Sequence, residues 1–179
     1  MLAIVFLMPS ISGALTETEK EKYREIDRMI EEADTAFPKE LIRAMAWCES
    51  QWRQFDKNGN TFTDGSLNTA DRKGPSLDYG LMQINERTAI KFKFDIPRLK
   101  NDTKYNLECG LRVLKEKYRW TDQKQRSKDW PMITKKYDLD GYSTLEIAIK
   151  AYNGMRRSWV YLNVVQDIQR DKPWLEYIK

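Results

Sequence analysis

The sequence predicts an all-α fold, mainly helical, for a chain of 179 residues. Three observations carry that expectation. Apolar residues recur at three- and four-residue spacing through most of the chain after Thr16. Two segments open on capping boxes, Thr16 with Glu19 and Ser143 with Glu146, each pairing an N-cap hydroxyl with a glutamate three residues on. Runs that alternate apolar and polar residues, the mark of a half-buried strand, are scarce.

The elements follow in order. Charged residues make up 32% of the chain, yet none lies between Met1 and Thr16. Leu2-Ala3-Ile4-Val5-Phe6-Leu7-Met8 is apolar and too short to span a bilayer, and Ser12-Gly13-Ala14 is a small-x-small site. Residues 1–15 therefore read as a signal peptide, which would export the protein to the periplasm or beyond, or as an apolar N-terminal segment of the fold. No Lys or Arg precedes the apolar run, so both readings stand. Residues 16–36 form an amphipathic N-terminal helix on Tyr23, Ile26, Met29, Ile30 and Ala33.

A larger unit spans 37–179. Pro38 suits the first turn of a helix carrying Leu41, Ile42, Met45, Cys48 and Trp52. From Asp56 to Ser76, Gly, Asn, Asp, Thr and Ser dominate and predict a long loop. A short segment from Tyr79 to Ala89 precedes a long helix on Leu107, Leu111, Leu114 and Tyr118. Trp120 to Tyr142 reads as a polar, lysine-rich inserted loop. The Ser143 box opens a helix through Tyr152 that Gly154 ends, and a last helix carries Trp159, Leu162, Val165 and Ile168.

Composition removes much of enzyme chemistry. The chain has no histidine, which excludes Ser-His-Asp and Cys-His nucleophiles, H-E-x-x-H zinc sites and an imidazole switch. Two cysteines cannot build a four-thiolate zinc site. Cys48 and Cys109 are either a disulfide of an exported protein or two small apolar core residues. The 31 basic and 27 acidic residues are interleaved, as in Lys20-Glu21-Lys22 and Lys115-Glu116-Lys117, so they read as solvated helix faces rather than a nucleic-acid stripe. Asp56-Lys57-Asn58-Gly59-Asn60 starts like a calcium loop, but Thr61 stands where the sixth-position glycine is needed and Leu67 where the acid is needed. Asp138-Leu139-Asp140-Gly141 likewise reads as a turn. Neither a metal nor a cofactor is expected. If the protein is an enzyme, carboxylates, tyrosine, lysine or backbone groups do the chemistry.

Glu49 is the unusual residue. On its helix it shares a face with Ile42, Met45 and Ala46. A carboxyl group on an apolar face must be paired, protonated or facing a cleft. Removal from water keeps a carboxyl group protonated to higher pH, as a general acid near neutrality requires. The alternative is a helix-end glutamate rotated slightly inward.

Four motifs then bear on the choice. Leu41-Ile42-Arg43-Ala44-Met45-Ala46-Trp47-Cys48-Glu49-Ser50-Gln51-Trp52 resembles the helix bearing the catalytic Glu-Ser pair of the SLT-type lytic transglycosylases, relatives of goose-type lysozyme. Asp78-Tyr79-Gly80-Leu81-Met82-Gln83-Ile84-Asn85 resembles that family's G-L-M-Q-I segment and precedes Thr88-Ala89. Asn106 to Leu114 resembles its N-I-x-x-G-x-x-x-L helix, and Ala148 to Gly154 its A-x-x-A-Y-N-x-G segment. The four occur in family order over about residues 37–165.

The resemblance implies a lysozyme-like transglycosylase domain with long inserted loops, acting on peptidoglycan glycan strands between N-acetylmuramic acid and N-acetylglucosamine. It implies Glu49 as the single acid/base, a 1,6-anhydro product, and no second carboxylate. Met82 and Gln83 match groove positions that contact sugar, although core packing is the alternative for Met82. Tyr152 matches a tyrosine near the acid, and Asn153 is its neighbour. Ser50 belongs to the same set, with support of the helix end as its expected part. The Asn-ending D-x-G-L-M-Q-I-N form resembles transglycosylases attached to secretion and conjugation machines, which implies such an apparatus as a partner. A muramidase hydrolase on the same fold is the near rival, with Asp56, Asp64, Asp71 and Asp78 as candidate second carboxylates. A non-catalytic peptidoglycan-binding or assembly component is the more distant one. The basic spot Met155-Arg156-Arg157 could meet a peptide-stem carboxylate or be solvated.

Overall fold

The computed structural model describes residues 15–63, 76–154 and 159–179. The apolar segment, Asp64, Asp71 and the Met155-Arg156-Arg157 spot lie outside them. The fold is mainly helical, with one minimal hairpin: α1 (Glu17–Glu32), α2 (Lys39–Ser50), β1 (Asp78–Tyr79), β2 (Ile84–Asn85), α3 (Glu86–Phe92), α4 (Ile96–Asn101), α5 (Thr103–Gln125), α6 (Trp130–Tyr137), α7 (Thr144–Tyr152), α8 (Val160–Asp171) and α9 (Leu175–Ile178).

Local sequence explains the starts. Thr16 and Ser143 cap α1 and α7 with complete capping boxes, the hydroxyl accepting from the N3 amide while the N3 glutamate accepts from the cap amide. Asn85, Asp95 and Asp102 cap α3, α4 and α5 through their side chains. Pro38 is the N-cap of α2 rather than a first-turn residue. The segment 120–142 departs from the expected loop. It contains the end of α5 and the whole of α6, with Pro131 in the first turn of α6. A proline there removes an amide that has no helical partner anyway, so it starts the helix instead of breaking it.

The core lies around α2, which buries Leu41, Ile42, Ala44, Met45, Ala46 and Trp47. It packs chiefly against α8, and α5 against α7. On one flank of α2 the aromatic rings of Trp47, Trp52, Trp174, Tyr23 and Tyr177 interlock, Trp52 stacking on Trp174 at 5.7 Å. This cluster fastens α1 and α9 to the end of α2. Cys48 and Cys109 are both free thiols in the core. Burial raises both: Cys109 is pushed up to about 11 and Cys48 further, so neither is a reactive thiolate near neutrality.

Candidate active site

The end of α2 sets the site. After Ser50 the chain leaves the helix through two successive left-handed, non-glycine residues, Gln51 (φ 54°) and Trp52 (φ 58°). Such conformations cost on the order of 1 kcal/mol or more each and persist where packing over-determines them. Here the buried Trp52 donates its indole N–H to the Arg43 carbonyl at 3.0 Å. Ser50 is buried; its hydroxyl lies 2.8 Å from the Leu81 carbonyl and 3.2 Å from the Ala46 carbonyl, and it accepts from the Arg53 amide at 3.0 Å. Ser50 therefore ties the helix end to the hairpin and does not line the cleft beside Glu49.

The hairpin pairs Asp78 with Asn85 and Tyr79 with Ile84. Two buried amide side chains hold its turn. Gln54 accepts from the Leu81 amide at 2.9 Å and donates to the Leu99 and Lys100 carbonyls. Asn106 accepts from the Met82 amide at 2.8 Å and donates to the Tyr79 and Leu99 carbonyls. Gly80 (φ +70°) sits so close that a Cβ would fall 2.3 Å from Gln54 Oε1 and 2.6 Å from Asn106 Nδ2. Gly110 plays the complementary part on α5, where a Cβ would lie 2.6 Å from Met82 Cγ. The glycines and asparagine of the second and third motifs thus build one joint between hairpin and helix.

That joint bears on the two alternatives for Met82 and matches core packing. Its side chain is fully buried against Gly110, and it supplies packing rather than a groove wall. Gln83, at φ 45°, turns its side chain back to donate to the Gly80 carbonyl at 2.7 Å and lines the cleft.

The cleft has a volume of ≈ 260 Å³. Glu49, Gln83, Tyr152 and Asn153 all line it, so the structure gathers these predicted residues from three separate elements. Glu49 is half-buried at the last turn of α2. The Tyr161 hydroxyl donates to Glu49 Oε1 at 2.5 Å. Tyr152 instead donates to the Met82 carbonyl at 2.9 Å, holding α7 to the hairpin. Burial, reinforced by the Glu49 charge, pushes both phenols well above the usual tyrosine value, so both stay protonated donors.

Tyr161 was not among the residues expected. In sequence it is one more aromatic residue on the amphipathic α8, separated by 112 positions from the carboxylate it touches. A hydroxyl on an otherwise apolar helix face was the available signal.

Of the candidate second carboxylates, Asp78 lines the same cleft as Glu49 and accepts from Asn85 Nδ2 at 2.8 Å. Asp56 does not line it. Its Oδ1 accepts from the Asn58 and Asn60 amides at 2.8 and 2.9 Å, and those contacts lower its pKa; it closes a turn, as the sequence suggested. No group of three or more acidic or cysteine side chains that could hold a metal occurs among the described residues.

A phenol-bonded glutamate, a second carboxylate and several amide side chains thus share one cleft of a helical domain. The family model of the transglycosylase SLT domain matches residues 29–162, from within α1 to within α8. The chain belongs to this family, whose substrate is peptidoglycan. No match was found among curated proteins or solved structures.

Proposed function

We propose that the protein is a peptidoglycan lytic transglycosylase in which Glu49 is the single general acid/base. The observation that carries this reading is the short hydrogen bond from a half-buried tyrosine to a cleft-lining glutamate, inside the span of the family match. Glu49 gives its proton to the glycosidic oxygen as the bond to the muramic acid C1 breaks. As a carboxylate it then takes the proton of that sugar's 6-hydroxyl, whose oxygen attacks C1 and closes the 1,6-anhydro ring. The attacking group belongs to the substrate, so the reaction needs neither a second carboxylate nor imidazole. Tyr161 holds the carboxyl group in place and supports it while it is charged. Gln83 and Asn153 present amide groups suited to the sugar's acetamido and hydroxyl groups.

The substrate lies outside the cytoplasm, so this reading requires export; the apolar segment 1–15 is suited to that as a signal peptide. No helix among the described residues is long and apolar enough to cross a membrane. Attachment to a secretion or conjugation apparatus rests on the Asn-ending motif. Asn85 itself has a local task, holding Asp78 and Ser76 and capping α3.

The test is release of soluble muropeptides from purified sacculi. The parent protein should release them, and Glu49→Gln should lose about 10³-fold in rate with the fold intact. Full activity in that variant would end the assignment, and sacculus binding without release by the parent would favour the non-catalytic reading.

One observation favours a second reading, a muramidase hydrolase: Asp78 shares the cleft with Glu49 and could activate a water. Asp78→Asn discriminates. A hydrolase would lose turnover nearly as completely as with Glu49→Gln, whereas the transglycosylase keeps most of it.

A further inference from the structure

One stripe of α5 runs under the hairpin and out along the cleft. Asn106 and Gly110 make the joint, and Val113 and Lys117, one and two turns further, line the cavity. Lys117 is half-buried and makes no ion pair among the described residues. Burial lowers its pKa, and the neighbouring charge acting on it is another cation, Lys91. Lys91 lies on α3, one turn beyond the cleft-lining Thr88, and is exposed. The two carboxylates of the cleft enter from α2 and β1, and neither neutralises Lys117.

A half-buried ammonium that lines a binding cleft and has no counter-charge of its own is suited to an anionic ligand. Glu17, Glu21 and Glu31 engage arginines elsewhere, which makes the bare Lys117 a contrast within one chain.

We propose that Lys117, with Lys91 at the rim, is a specificity site that takes a carboxylate carried on the 3-O substituent of muramic acid. The proposal rests on the peptidoglycan reading above. That substituent is a lactyl group, ending in its own carboxylate when the strand is bare and in a stem peptide with further carboxylates when it is not. Either source offers the same chemistry, an oxyanion reaching into the cleft from the sugar ring. The neutral N-acetylglucosamine rings have no such group. Lys117 thus orients the alternating strand, so that a muramic acid, the sugar able to form the anhydro ring, occupies the reacting position.

The experiment measures binding by calorimetry in the Glu49→Gln protein, which does not consume the ligand. Three ligands are compared: a neutral N-acetylglucosamine oligomer, a peptide-free muramic-acid-containing strand, and the same strand bearing stem peptides. Lys117→Gln should weaken binding of the anionic strands about tenfold, the loss expected for one charge-assisted contact, and leave the neutral oligomer within about twofold. Lys117→Arg should restore most of the affinity. A loss confined to the peptide-free strand assigns the lactyl carboxylate, which becomes a neutral amide once a stem is attached. A loss confined to the peptide-bearing strand assigns the stem carboxylates, and a loss with both shows that Lys117 takes either oxyanion. Equal loss for neutral and anionic ligands, or no loss for any, overturns the proposal. If the parent digests sacculi while Lys117→Gln binds normally, the specificity site fails and the enzyme assignment survives. If the parent neither binds nor digests them, both fail.

Discussion

Tyr152 and Tyr161 sit on adjacent helices, face the same carboxylate and have phenols raised by the same burial, yet their hydroxyls do different things. Tyr161 donates to the Glu49 carboxyl group at 2.5 Å. Tyr152 donates to a backbone carbonyl, that of Met82, at 2.9 Å. The first is a hydrogen bond to a group that changes charge in the proposed reaction, and the second is a neutral strut between α7 and the hairpin. The difference teaches that proximity to a carboxylate does not define a role; the atom that receives the proton donor does.

With Glu49 left in place, the largest effect should come from Tyr161→Phe. Loss of a hydrogen bond to a charged group should reduce turnover of sacculi by about ten- to a hundredfold in kcat. The pH optimum should move upward, because the carboxylate loses a donor that favours its charged form. An unchanged optimum with unchanged kcat would make Tyr161 merely structural.

Tyr152→Phe should cost less turnover and more fold. A neutral hydrogen bond is worth about 1 kcal/mol of stability, so a fall in denaturation midpoint with activity kept within severalfold is expected. An effect on kcat as large as that of Tyr161→Phe would collapse the contrast. Gly110→Ala probes the joint beneath Tyr152 without touching either phenol. The new Cβ would lie 2.6 Å from Met82 Cγ, and such overpacking costs about 1–3 kcal/mol.

The smallest effect near neutrality is shared by both tyrosines and both cysteines. All four hold their protons more tightly in the folded protein because they are buried. The native state therefore keeps protons that the unfolded chain releases above about pH 8.5 for thiols and about pH 10 for phenols. Stability is intact below that range and declines as pH rises through the displaced native values. Melting temperature measured from pH 7 to 10.5 should fall at the alkaline end, and less steeply when both tyrosines are phenylalanine.

Much of this arrangement was legible in the sequence, and the failures have physical reasons. Capping boxes and apolar spacing located α1, α2, α5, α7 and α8, because these signals are local. Three of the four motifs pointed to Glu49, Gln83, Tyr152 and Asn153, which the fold gathers around one cleft. Met82 was left between groove wall and core because a tight turn alone does not reveal which of two neighbouring side chains points inward; its burial matches the core alternative. The segment 120–142 misled because a helix of only 8 residues, with a proline in its first turn and a lysine-rich setting, reads as a loop. Tyr161 was hidden because its meaning lies in a contact across the fold. Lys117 was hidden in Lys115-Glu116-Lys117, which reads as a solvated charged run; rotation along α5 exposes its neighbours and turns Lys117 into the cleft.

The central claim is that Glu49, steadied by Tyr161, cleaves glycan using the substrate's own hydroxyl. Mass spectrometry of the muropeptides released from sacculi tests it most directly. The account predicts products ending in 1,6-anhydro-muramic acid, each lighter by one water than its reducing-ended counterpart, and none from Glu49→Gln. Reducing-ended products that vanish with Asp78→Asn would contradict it and make the protein a hydrolase.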